Sequence, residues 1–153
     1  MVNILILEDD YTLAKSWQSA LVAEGHTVTL SFTSSEALLH TQNDGFDIYI
    51  VDLKIDIDLS SFVDSGVRFL GQLHKLHNKD EIHRRVIGVS GLLIDTDDRQ
   101  SRHAFQMFDV RAFLPKPFST EDLVNAVNER IQLLEDRDAP ASPQRSSDQE
   151  GPE

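Results

Sequence analysis

Asp47-Ile48-Tyr49-Ile50-Val51-Asp52 is the stretch on which the reading of this chain turns, a short apolar run closed by a carboxylate. Four further runs rich in Val, Ile and Leu lie around it, at Val2–Leu7, Thr27–Ser31, Val86–Ser90 and Arg111–Leu114. The intervals between them have helical spacing, the pattern of alternating strands and helices around a parallel sheet. Between the first two runs, Leu13, Trp17 and Leu21 repeat every four residues, and Gly25 supplies a left-handed stop. Ser34–Gln42 predicts a second helix, and Val67, Leu70, Leu73 and Leu76 mark a third. Thr96 can cap a fourth that runs to about Phe108, weakly anchored because Asp97 through His103 is almost entirely polar. The fifth begins at Ser119 or Thr120, with Glu121 and Asp122 suiting the positive end of its dipole, and is expected to bury Leu123, Val127, Ile131 and Leu134.

This (βα)₅ pattern shows no internal repeat, and right-handed crossovers then favour a doubly wound sheet with helices on both faces. We take residues 1–136 as one domain, a size sufficient for a real core. Residues 137–153, with Pro140, Pro143, Pro152 and several Ser and Gln, bury too little apolar area to offset chain entropy. They read as a disordered acidic tail or linker.

A net charge of −12, from 26 acidic against 14 basic residues, opposes a phosphate backbone, so direct contact with nucleic acid is not expected. The first residues, Met1-Val2-Asn3-Ile4-Leu5-Ile6-Leu7-Glu8, lack a basic leader, and no apolar run approaches membrane-spanning length. The absence of cysteine excludes disulfides and thiolate metal sites. A soluble cytoplasmic protein is the default expectation.

Doubly wound sheets place their sites at the carboxyl ends of the strands. Here the first strand ends in Glu8-Asp9-Asp10, the third in Asp52, the fourth in Ser90, and the fifth leads into Lys116-Pro117. If the first and third strands are neighbours, Glu8, Asp9 and Asp52 converge. Two carboxylates about 4 Å apart repel by roughly 4 kcal/mol at an effective dielectric near 20, so the cluster calls for a cation. Hard oxygen donors suit Mg²⁺ rather than Zn²⁺. Asp10 reads as a solvated helix start. Pro117 is a place where a cis bond costs little, which would aim Lys116 back into the cleft.

At these residues the chain closely resembles the receiver domains of two-component response regulators, in particular the chemotaxis-regulator-like ones, over roughly Met1 to Asp136. Ile4-Leu5-Ile6-Leu7-Glu8-Asp9 is similar to the family's acidic pair and Asp47–Asp52 to its acceptor strand. Val89-Ser90-Gly91 is similar to its switch hydroxyl, and Phe113-Leu114-Pro115-Lys116-Pro117-Phe118 to its lysine segment. The resemblance implies a flavodoxin-like fold with strand order 2-1-3-4-5 and a phosphorylation switch rather than an enzyme in the ordinary sense. Asp52 would accept a phosphoryl group from a histidine kinase or histidine phosphotransfer protein. Mg²⁺ would be held by Glu8 or its bound water, Asp9, Asp52 and the main-chain carbonyl of Lys54. Ser90 and Lys116 would each meet a phosphoryl oxygen, and Phe113 would turn inward with Ser90 as the switch. A downstream protein target would read the altered surface of the fourth helix, fifth strand and fifth helix, where the family also forms homodimers on phosphorylation. Phosphoryl transfer needs mainly in-line positioning and cations around the equatorial oxygens, which these residue types can supply.

The main departure is the loop Leu53–Ser65, thirteen residues long before Gly66, with Asp56 where the family has a customary proline. Doubling a loop costs only about 0.6 kcal/mol of closure entropy, so the fold tolerates it. The segment is a solvated insertion, a docking surface built on Ile57, Leu59 and Phe62, or a source of extra acidic ligands. Phe113 lacks a tyrosine hydroxyl, and Leu92 and Lys54 stand where the family tunes hydrolysis. A bulky apolar Leu92 implies a long-lived phosphoryl form. His74, His77 and His83, close to Lys75, Lys79, Arg84 and Arg85, read as a basic helix end. Two other function classes stay in view. A haloacid-dehalogenase-like phosphatase would need a second aspartate two residues after Asp52, where Lys54 stands, and a pseudo-receiver would keep the fold as an interaction module without phosphorylation.

Overall fold

Residues 1–43, 45–53, 66–91 and 112–140 are described by the computed structural model, with the backbone alone at 79, 80 and 90. In chain order they form β1 (Asn3–Leu7), α1 (Tyr11–Ala23), β2 (Thr27–Ser31), α2 (Ser34–Asn43) and β3 (Ile48–Asp52). Then follow α3 (Gly66–Leu76), α4 (Lys79–Arg85), β4 (Val86–Ser90), β5 (Ala112–Pro115) and α5 (Thr120–Asp138). Residues 54–65 of the long loop, the helix expected at 96–108, Leu92 and residues 141–153 lie outside the described residues.

The strands make one parallel sheet in the order β2-β1-β3-β4-β5, as expected. Side chains alternate across it, which yields two separate cores. Ile4, Ile6, Ile48, Ile50, Ile87 and Val89 pack against Trp17 and Leu21 of α1 and Leu123 and Val127 of α5. Leu5, Leu7, Tyr49, Val51 and Val86 face the other way, onto Phe69, Leu70 and Leu73 of α3 and Ile82 of α4. All five residues of β3 are buried, which explains why its sequence is a continuous apolar run rather than an alternation. Each fully buried aliphatic side chain contributes about 1.5–3 kcal/mol.

Local chemistry sets the helix ends. The Asp10 carboxylate caps α1 by accepting from the Leu13 N–H at 3.1 Å, so its reading as a helix start holds. Gly25 follows α1 with φ at 92°, a conformation that favours glycine. At α5 the Ser119 hydroxyl accepts from the Asp122 N–H at 3.0 Å, and the Asp122 carboxylate accepts from the Ser119 N–H at 3.2 Å, forming a capping box. Ile131 and Leu134 are only half-buried on α5, where full burial was expected.

The region after Leu76 differs from expectation. The basic residues do close helices, but two of them: His74 and Lys75 lie in the last turn of α3, and His83, Arg84 and Arg85 in the last turn of the separate helix α4, which starts after a break at His77-Asn78. The Asn78 carbonyl accepts from the Glu81 and Ile82 N–H groups, and α4 then turns Ile82 and His83 inward, each 4% exposed. The buried His83 ring lies 4.8 Å from that of the half-buried His74 on α3. Among the described residues, no helix is long and apolar enough to cross a membrane.

Candidate functional site

Sheet register gathers the site. Leu7 of β1 pairs with Val51 of β3, so Glu8 and Asp52, each the next residue, leave the sheet side by side. Asp52 is level with Val89 of β4, which is level with Leu114 of β5, and Lys116 stands two residues beyond Leu114. A period of two returns Lys116 to the same face of the sheet as Leu114. Its preceding strand end, Pro115, pairs with Ser90. The Lys116–Pro117 peptide bond is cis.

Carboxylate oxygens of Glu8, Asp9 and Asp52 all lie within 4.8 Å of one another. Glu8 and Asp52 are 1% and 5% exposed, whereas Asp9 is exposed and forms the solvent side of the cluster. The Lys116 ammonium bridges the two buried acids, donating to Glu8 Oε2 at 2.7 Å and to Asp52 Oδ2 at 3.1 Å. Glu8 Oε1 accepts from the Asp10 N–H at 3.1 Å. Asp52 Oδ1 is buried and makes no hydrogen bond. A buried carboxylate oxygen without a donor is costly, a cost that a cation held there would offset.

The electrostatics follow from this geometry. Burial pushes the Glu8 carboxyl up from its ordinary 4.5 to about 7, with the Asp52 charge adding to the rise and the Lys116 hydrogen bond opposing it. For Lys116 burial works downward, yet the Glu8 hydrogen bond and the Asp52 and Glu8 charges together hold its ammonium above the ordinary lysine range. Two carboxylates and one ammonium leave a net negative centre, more so with Asp9. The donor set is all hard oxygen, it is partly open to solvent through Asp9, and one oxygen is orphaned. These residues therefore fit a divalent hard cation such as Mg²⁺.

Of the site residues expected from the sequence, Glu8, Asp9, Asp52 and Lys116 come together. The backbone places Ser90 at the end of β4 beside Pro115, while its side chain and Lys54 lie outside what is described. Phe113 is half-buried on β5, paired with Gly88.

Two residues join the site that sequence reasoning did not place there. Trp17, read as core and 1% exposed, also lies under the ammonium, with Lys116 Nζ 5.6 Å from its ring centroid. Its ring also stacks on that of Phe118 at 5.2 Å, so one α1 side chain touches the lysine segment at two positions. Nothing in the local sequence signals this contact. Gly66 packs directly on the strand end, where a Cβ would overlap the Asp52 carbonyl oxygen and lie 2.8 Å from Val51 Cγ1. A glycine at the start of a helix after a long loop was the available hint.

Comparison with known proteins agrees with this geometry. A family model described as the response regulator receiver domain matches residues 4–128. A probable transcriptional regulator, ycf29, of Porphyra purpurea is 26% identical over 129 residues, covering 84% of this chain. The chain spans 56% of that relative's length. The crystal structure of a CheY-like response regulator receiver protein from Methanospirillum hungatei superimposes with a TM-score of 0.72 at 24% identity, covering 88% of this chain and 97% of the other. The receiver domain of the Francisella response regulator 1452 gives a TM-score of 0.68 at 23% identity, covering 88% and 99%.

Proposed function

Because the chain belongs to the response regulator receiver domain family, we propose that it is a Mg²⁺-dependent phosphorylation switch with Asp52 as the phosphoacceptor. The observation that carries this reading is the Asp52 side chain itself. It is 5% exposed, bonded through Oδ2 to the Lys116 ammonium and bare at Oδ1. One oxygen is thus oriented by a cation and the other is available. Glu8, Asp9, Asp52 and the Lys54 carbonyl would hold Mg²⁺, which when bound supplies positive charge to the incoming phosphoryl oxygens.

Lys116 holds Asp52 in place before transfer and shares its three donor hydrogens between Glu8 and Asp52. It is positioned to turn toward a phosphoryl oxygen that takes negative charge at this point, with Glu8 retaining the other bond. Ser90, at the adjacent strand end, would donate to a second oxygen, and Phe113 would respond by burial. Balance is simple. A carboxylate oxygen of Asp52 bonds to phosphorus as the donor's P–N or P–O bond breaks, and the electron pair leaves with the donor. That donor would be a histidine kinase or histidine phosphotransfer protein in the cytoplasm, and the output a protein contact through the helix expected from the sequence at 96–108, β5 and α5. Leu92, two residues past Ser90 in the sequence, argues for slow loss of the phosphoryl group.

Intact mass spectrometry after incubation with acetyl phosphate tests this reading. A gain of one phosphoryl group that requires Mg²⁺ and is absent in Asp52→Asn supports it. No gain under any condition favours the second reading, a pseudo-receiver that works as an interaction module without phosphorylation.

A further inference from the structure

A groove of about 450 Å³ between α4 and α5 is lined by Arg84, Arg130, Arg137, Leu133, Leu134 and Glu129. In a chain with 26 acidic and 14 basic residues, three guanidinium groups stand around one opening against the lining carboxylate of Glu129 and the Glu81 carboxylate paired with Arg137, a small local excess of positive charge. Arg137 pairs with Glu81 at 3.1 Å, which links the last turns of α5 to α4. Leu133 sits in it with 52% of its surface exposed, an apolar foothold amid the charges.

We propose that this groove docks a carboxylate-rich protein segment that also carries an apolar side chain. Charge complementarity selects that occupant. Guanidinium forks pair bidentately with carboxylates, arginine is enriched at protein interfaces, and Leu133 offers an apolar contact beside them. The net charge of −12 repels an acidic segment from the protein as a whole, so the groove also sets where such a segment lands.

Its place in the fold separates it from the phosphoacceptor. Arg84 precedes β4, and the last turns of α5 pack beside Val2, Asp47 and Ile48 at the starts of the strands, whereas Asp52 lies at a strand end. Occupation of the groove therefore leaves the acidic cluster open, and the docking proposed uses the strand-start end of α5 without requiring phosphorylation.

Fluorescence anisotropy of a labelled peptide of about ten residues, alternating Glu or Asp with Leu, tests the proposal on the full chain. Saturable binding is expected, weaker in added NaCl and unchanged by acetyl phosphate with Mg²⁺. The Arg84→Glu/Arg130→Glu variant should bind at least about tenfold more weakly. Leu133→Ser, at an exposed position that does not threaten folding, should weaken binding severalfold at unchanged melting temperature. Absence of saturable binding, equal affinity in both variants, or binding that appears only after the phosphodonor is added overturns it.

Discussion

Raising the pH of the metal-free protein from 4.5 to 8 is expected to remove stability through Glu8. In the folded chain this carboxyl titrates near 7 rather than at its ordinary 4.5, chiefly because it is buried. The folded state therefore holds the proton more tightly than the unfolded chain does. The stabilisation is fully present below pH 4.5 and is lost as the pH rises through about 7. The gap corresponds to about 3 kcal/mol at 1.36 kcal/mol per pH unit, a substantial part of the roughly 5–15 kcal/mol that hold a domain together. Urea unfolding in EDTA, followed at several pH values for the wild type and Glu8→Gln, isolates the effect. The variant keeps the volume but cannot ionise, so the wild type should lose about 3 kcal/mol relative to it across the window. Mg²⁺ should then stabilise the wild type more at pH 8 than at pH 5, because a cation favours the ionised cluster. A wild-type curve parallel to that of Glu8→Gln refutes the reasoning.

Gly66→Ala should destabilise by about 2 kcal/mol or more, since its Cβ would meet the Asp52 carbonyl oxygen, and should weaken Mg²⁺ binding measured by calorimetry. Trp17, the single tryptophan, lies 5.6 Å from the Lys116 ammonium, so its emission should change when Mg²⁺ or a phosphoryl group redirects that lysine, and Lys116→Met should abolish the response. Ser119→Ala removes half of the α5 capping box and should cost about 1 kcal/mol in urea unfolding without altering Mg²⁺ affinity.

Much of this was legible in the residues because strand ends are where a parallel α/β sheet concentrates its chemistry. The apolar run before Asp52 and the one before Glu8 placed two carboxylates on adjacent strands, and the observed register Leu7 with Val51 brings them level. Sequence order and residue type also brought in Lys116 and Asp9. What was not legible depends on tertiary contact. The break at Asn78 that creates α4 offers only a weak local signal, and the inward turn of His83 follows from packing against α3. The contacts of Trp17 with Lys116 and of Gly66 with Asp52 join residues distant in the chain, so no local pattern announces them. Nor does spacing reveal that Lys116 bonds Glu8 more closely than Asp52, at 2.7 Å against 3.1 Å.

The most direct test of the central claim is chemical trapping of the phosphorylated residue. After acetyl phosphate and Mg²⁺, borohydride reduces an aspartyl phosphate to homoserine, which peptide mass mapping locates. Homoserine at position 52, dependent on Mg²⁺ and greatly diminished in Lys116→Met, is the expected result. A modified residue at Asp9 or elsewhere, with Asp52 recovered intact, would contradict the assignment.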